Sequence, residues 1–64
     1  MNAEDFELLL FRILEDAAQD DYQYDLMGIK VKLFEDAGLF TDDRGLIVKF
    51  RSGEEFQVTI IRSR

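Results

Sequence analysis

The apolar residues of this chain change period near Gly28, and that change restricts the fold more than any other feature. Before it, Phe6, Leu9, Leu10, Ile13, Leu14 and Ala17 follow the i, i+3, i+4, i+7 series of a helix. At about 100° per residue they span a stripe about 140° wide, which is the expected core face. After it, Ile29, Val31 and Leu33 alternate with Lys30 and Lys32, as on a strand with one face turned inward. Leu46 to Arg51 and Glu55 to Arg62 are β-prone runs separated by Ser52-Gly53-Glu54, the pattern of a hairpin. The expected class is therefore α+β: one N-terminal amphipathic helix packed on a three-stranded antiparallel sheet with a C-terminal β-hairpin.

Local signals fill in the elements. Asn2 is a good N-cap, Asp5 stands three residues later in the capping-box position, and Met1 can staple onto Phe6. Glu4, Asp5 and Glu7 suit the positive end of the helix dipole, and Gln19-Asp20-Asp21 is the expected stop. Phe34-Glu35-Asp36-Ala37-Gly38 reads as a single turn ended by glycine, and Thr41-Asp42-Asp43-Arg44-Gly45 as a turn, with Leu39 and Phe40 tucked beneath. A three-residue loop at Ser52-Gly53-Glu54 would pair Phe50 with Phe56, Val48 with Val58 and Leu46 with Ile60. Two competing readings remain. A second helix over Asp25 to Ala37 is opposed by the Lys30/Lys32 alternation, and the link between the first two strands is almost long enough for a parallel crossover.

A chain of 64 residues has room for one core, so residues 1–64 read as a single domain. It has no cysteine for a disulfide or thiolate ligand and no histidine, the usual general base and commonest metal ligand. The longest apolar run, Leu8 to Phe11, is far short of the roughly 20 residues of a membrane span. No secretory n-region or h-region is visible, so the expected compartment is cytoplasmic. Of the net charge of −6, residues up to Gly28 carry eight acids against Arg12 alone, and the remainder six acids against seven bases. Such an acidic face disfavours nucleic acid as a partner.

Catalysis needs a nucleophile beside a base, a carboxylate pair in a cleft, or a metal, and none of these patterns is present. No enzymatic activity and no cofactor are expected. Glu15, Asp16, Asp20, Asp21 and Asp25 are the best set for a divalent cation, but they lack the alternating spacing of a calcium loop and read as a solvated surface. Gly28, Gly38, Gly45 and Gly53 are isolated at element boundaries, unlike a phosphate loop. Lys30, Lys32, Lys49 and Arg51 share the outer sheet face and form an alternative anion-binding or nucleic-acid site, although without an aromatic platform for bases. An acidic inhibitor of a DNA-binding protein is a further alternative, limited by the shortness of the acidic cluster. Leu8 and Phe11 are the anomaly, because they lie roughly 120–180° from the core stripe, near Glu15 and Ala18. Two adjacent apolar residues off the core face point to a protein partner or a second copy, such as a two-fold dimer through the helix, with Leu8, Phe11 and Glu15 as the interaction residues.

The second half, Phe34-Glu35-Asp36-Ala37-Gly38-Leu39-Phe40-Thr41, then Gly45-Leu46-Ile47-Val48 and Glu55-Phe56-Gln57-Val58-Thr59-Ile60, is similar to small uncharacterised proteins encoded in phages and prophages. The resemblance spans about Phe34 to Ile60. It implies a phage or bacterial origin and an accessory or assembly role without enzymatic activity, and it brings no functional residues with it.

Overall fold

Helix α1 (Ala3–Ala18) begins where the Asn2 side chain accepts a hydrogen bond from the Asp5 N–H at 2.8 Å. This satisfies one of the helix's orphan donors, and Glu4 and Asp5 oppose the positive dipole end. The helix stops at Gln19, whose N–H donates to the Asp16 carbonyl at 3.2 Å. The computed structural model describes residues 1–20, 25–38 and 42–64. Tyr22, Tyr24, Leu39, Phe40 and Thr41, and with them the expected seat of Leu39 and Phe40, lie outside the described residues.

Strands β1 (Lys30–Leu33), β2 (Arg44–Lys49) and β3 (Glu55–Ile60) form an antiparallel sheet in the order β1-β2-β3. Val31 lies opposite Val48 and Leu33 opposite Leu46, which rules out both the parallel crossover and the second helix. Between β1 and β2, the Ala37 N–H donates to the carbonyls of Leu33 and Phe34, and Gly38 ends the turn at φ +76. A β-carbon is strained in that left-handed conformation.

The hairpin forms, but two residues out of the expected register. Leu46 pairs with Val58 and Val48 with Phe56, so the loop is Arg51-Ser52-Gly53. Glycine decides the shift. A three-residue loop needs its left-handed residue third, and Gly53 takes φ +101 there while its N–H donates to the Phe50 carbonyl at 3.0 Å. A shift of two leaves every side chain on its expected face. Phe50 and Phe56 become diagonal neighbours, edge to face at 5.7 Å between ring centroids.

The core stripe of the helix also differs from expectation. Glu7 is 3% exposed, whereas Phe6 and Ile13, assigned to the core, are 44% and 53% exposed, and Leu9 is exposed with them. The sheet-facing side is instead Ala3, Glu7, Leu10, Phe11, Leu14, Ala17 and Ala18, all buried or half-buried, a rotation of roughly 70°. Residues of α1 lie against β1 and β2 and reach β3 only at one end, so three strands are wider than one helix covers. The core sits beneath it, around Ile29, Phe34, Leu46 and Val48, with Leu46 fully buried.

Candidate functional site

The rotation of α1 has a polar cause. Where β1 ends, the Phe34 N–H still donates to the Gly45 carbonyl at 3.0 Å, but the Phe34 carbonyl turns away to accept from Ala37. The Gly45 N–H is left without its ladder partner, and Glu7 Oε2 accepts from it at 2.7 Å. A carboxylate on the helix thus replaces a strand carbonyl, which is how a buried charge is tolerated. Glycine at this position is a matter of space. A β-carbon would stand 2.3 Å from the Val58 carbonyl oxygen and 2.5 Å from the Phe34 ring. Arg44 then gathers three acids: its guanidinium lies 3.5 Å from Glu35, 3.8 Å from Glu4 and 3.9 Å from Glu7. With Glu4 and Glu35 exposed, only the Glu7 contact reaches the interior. This corner is structural: it fastens helix to sheet and leaves no polar group aimed at a ligand, since no buried side-chain polar atom among the described residues lacks a partner.

Because the helix is turned toward Glu7, an apolar groove of about 440 Å³ opens between the start of α1 and the end of β3, lined by Met1, Phe6, Leu10, Val58, Ile60 and Ile61 among others. Phe6, Leu9 and Ile13 form the flank of α1 on this side, and Phe56 (53% exposed) and Val58 continue the uncovered floor along β3. The sequence pattern places these residues inside. What it does not reveal is that the sheet extends one strand past the helix.

The residues singled out from the sequence are distributed as follows. Leu8 is exposed, Phe11 is half-buried one turn beyond Glu7 on the sheet-facing side, and Glu15 is exposed beside Ala18, Gln19, Gly28 and Lys30. Phe11 and Leu8 therefore do not form one wet stripe. Among the cations, Lys30 stands directly opposite Lys49, and both line a concavity of about 490 Å³ with Lys32, Ala37, Ile47 and Glu55. Arg51 does not line that concavity. It lies in the hairpin loop with its aliphatic stem over Gly28, where an added β-carbon would meet Arg51 Cδ at 2.7 Å. Asp21 lies outside the described residues, and among those described no group of three acids is gathered as a metal site. No described helix is long and apolar enough to cross a membrane. No protein-family model matches the chain, and neither does any curated protein or solved structure.

Proposed function

We propose that this chain is a non-catalytic protein-interaction module whose working surface is the groove between α1 and β3. It would serve as an accessory or assembly factor of the kind that its resemblance to phage and prophage proteins implies. The observation that carries the reading is the groove in which Phe6 and Val58 meet, with exposed Ile13 continuing the Phe6 side along α1 and exposed Phe56 the Val58 side along β3. Single exposed apolar residues are ordinary, but a joined patch of roughly 500 Å² on so small a domain is the size associated with partner binding. The test is a photo-crosslinking amino acid placed singly at Leu9, Ile13 or Val58, with Lys32 and Asp36 as controls, in cells producing the chain. A discrete crosslinked species from the groove positions alone is expected. Equal labelling from groove and control positions, or none from the groove, would remove the reading.

A second reading has its own observation, the direct opposition of Lys30 and Lys49. Like charges facing across a ladder are unfavourable, and Glu55 opposite Lys49 is a single acid against Lys30, Lys32 and Lys49, so this face is the alternative site for a phosphate-bearing ligand. Binding of a single-stranded oligonucleotide that weakens steeply between low and moderate salt, and is lost in Lys30→Ala with Lys49→Ala, would support it.

A further inference from the structure

The two edges of the sheet are guarded unequally. β1 carries Lys30 and Lys32 on its exposed side, the usual protection of a free edge. β3 has neither lysine nor proline, and Phe56 and Val58 on its inner face are uncovered. Its backbone is also available among the described residues. The Phe50 N–H donates to the Glu54 carbonyl at 2.8 Å, so the even-numbered residues of β3 turn their polar groups toward β2. By alternation, the N–H and C=O groups of Glu55, Gln57 and Thr59 project from the open edge.

We propose that the groove is filled by a second copy of this chain, with the two β3 strands paired antiparallel about a two-fold axis at Val58. The inference rests on reading the groove as an interaction surface and names its occupant. Opposed residues of antiparallel strands share a face, so Phe56, Val58 and Ile60 must meet one another if the apolar floor is to continue. Centring on Val58 places Phe56 opposite Ile60 of the second copy and Glu54 opposite Arg62 of the second copy, each twice by symmetry. Centring on Gln57 would set Glu54 against Ile60, and centring on Thr59 would set Phe56 against Arg62, so only the Val58 register matches both shape and charge. The acid just before each strand meets the base just beyond the end of the other. In the resulting six-stranded sheet both helices ride on one face. Their Phe6, Leu9 and Ile13 flanks turn toward each other over the joined floor. Two patches of roughly 500 Å² bring the buried area to about 1,000 Å², the lower bound of a specific interface. The lysine-guarded β1 edges become the outer edges, so assembly stops at two.

The absence of native cysteine allows a direct test on the full chain. Facing residues of a non-hydrogen-bonded antiparallel pair lie about 4.5 Å apart between Cα atoms, within disulfide range. Val58→Cys is therefore expected to form a covalent dimer under mild oxidation at least about tenfold faster than Lys32→Cys on the opposite edge. In sedimentation equilibrium the wild type is expected to dimerise reversibly. Glu54→Arg and Arg62→Glu are each expected to weaken association about tenfold, and the double variant to restore it. A wild type that stays monomeric at millimolar concentration, a double variant no better than its singles, or equal disulfide rates at both edges would overturn the proposal. A monomeric wild type whose groove positions still crosslink to one other protein removes the second copy and leaves the interaction surface standing. A monomeric wild type without such crosslinks removes both.

Discussion

Replacing Glu7 tests whether a polar bond or apolar burial orients the helix. Glu7 is buried, and its carboxylate accepts from the buried Gly45 N–H at 2.7 Å, with Arg44 at 3.9 Å as a weaker second partner. A hydrogen bond to a charged acceptor contributes about 1.5–3 kcal/mol, and an orphaned buried donor costs about 1–3 kcal/mol. Glu7→Gln keeps an acceptor and is expected to lose about 1 kcal/mol. Glu7→Leu leaves the donor unmade but regains part of the roughly 1.5–3 kcal/mol of a buried leucine, for a net loss of about 1–2 kcal/mol. Glu7→Ala loses the bond and leaves a cavity, at about 3 kcal/mol. Against a total of about 3–10 kcal/mol for a domain of this size, the alanine variant approaches unfolding. Urea denaturation should order the variants wild type, Gln, Leu, Ala, with melting temperatures about 4–8 °C apart per kcal/mol. Amide exchange at Gly45 gives a local readout: slow in the wild type and the Gln variant, fast in the Leu variant. A leucine variant as stable as the wild type would refute the reasoning, since apolar burial would then suffice to seat the helix.

Gly45→Ala should destabilise by about 3 kcal/mol or fail to fold, because its β-carbon meets the Val58 carbonyl oxygen and the Phe34 ring; thermal unfolding measures it. Leu46→Ala, at a fully buried position, should cost about 3–5 kcal/mol in denaturant titration, whereas Ile13→Ala, measured dilute enough to be monomeric, should cost less than about 1 kcal/mol. Equal losses at the two sites would contradict the rotation of α1. Asn2→Ala should lose about 1 kcal/mol of stability and fray the first turn, visible as reduced helical circular dichroism.

The architecture was largely legible in the sequence because each element carries its own local signal. Asn2 marks the helix start, the Lys30/Lys32 alternation marks β1, and two β-prone runs around Gly53 mark the hairpin. What escaped were facts about pairs. The hairpin register depends on which loop position takes the left-handed conformation, and the apolar match of Phe50 with Phe56 competes in the sequence with the rule that sets Gly53 third in the loop. The helix rotation depends on an N–H that only becomes orphaned when the chain leaves β1 at Phe34. A hydropathy wheel counts Glu7 as solvent-facing and centres on Phe6, Leu9 and Ile13, so the open groove was hidden inside the expected core. Leu8 and Phe11 stood out on that wheel for the same reason, and turning the helix toward Glu7 brings Phe11 onto the sheet. The cationic face was partly legible: period two places Lys30, Lys32 and Lys49 together, whereas Arg51 belongs to the hairpin loop and lays its aliphatic stem over Gly28.

The bond between Glu7 and Gly45 joins residues 38 positions apart, and this sets the order in which the chain is able to fold as it is made. At roughly 5–20 residues per second, the acidic segment carrying Glu7 is made some seconds before the Gly45 N–H that donates to it. A sixteen-residue helix is marginal alone, and this one gathers uncompensated acids. The segment is therefore only marginally helical until β2 and its hairpin partner have been synthesised. The helix is thus seated by strands that follow it in the chain. A product stalled short of Gly45 would lack the N–H that seats Glu7, leaving α1 without its polar fastening to the sheet.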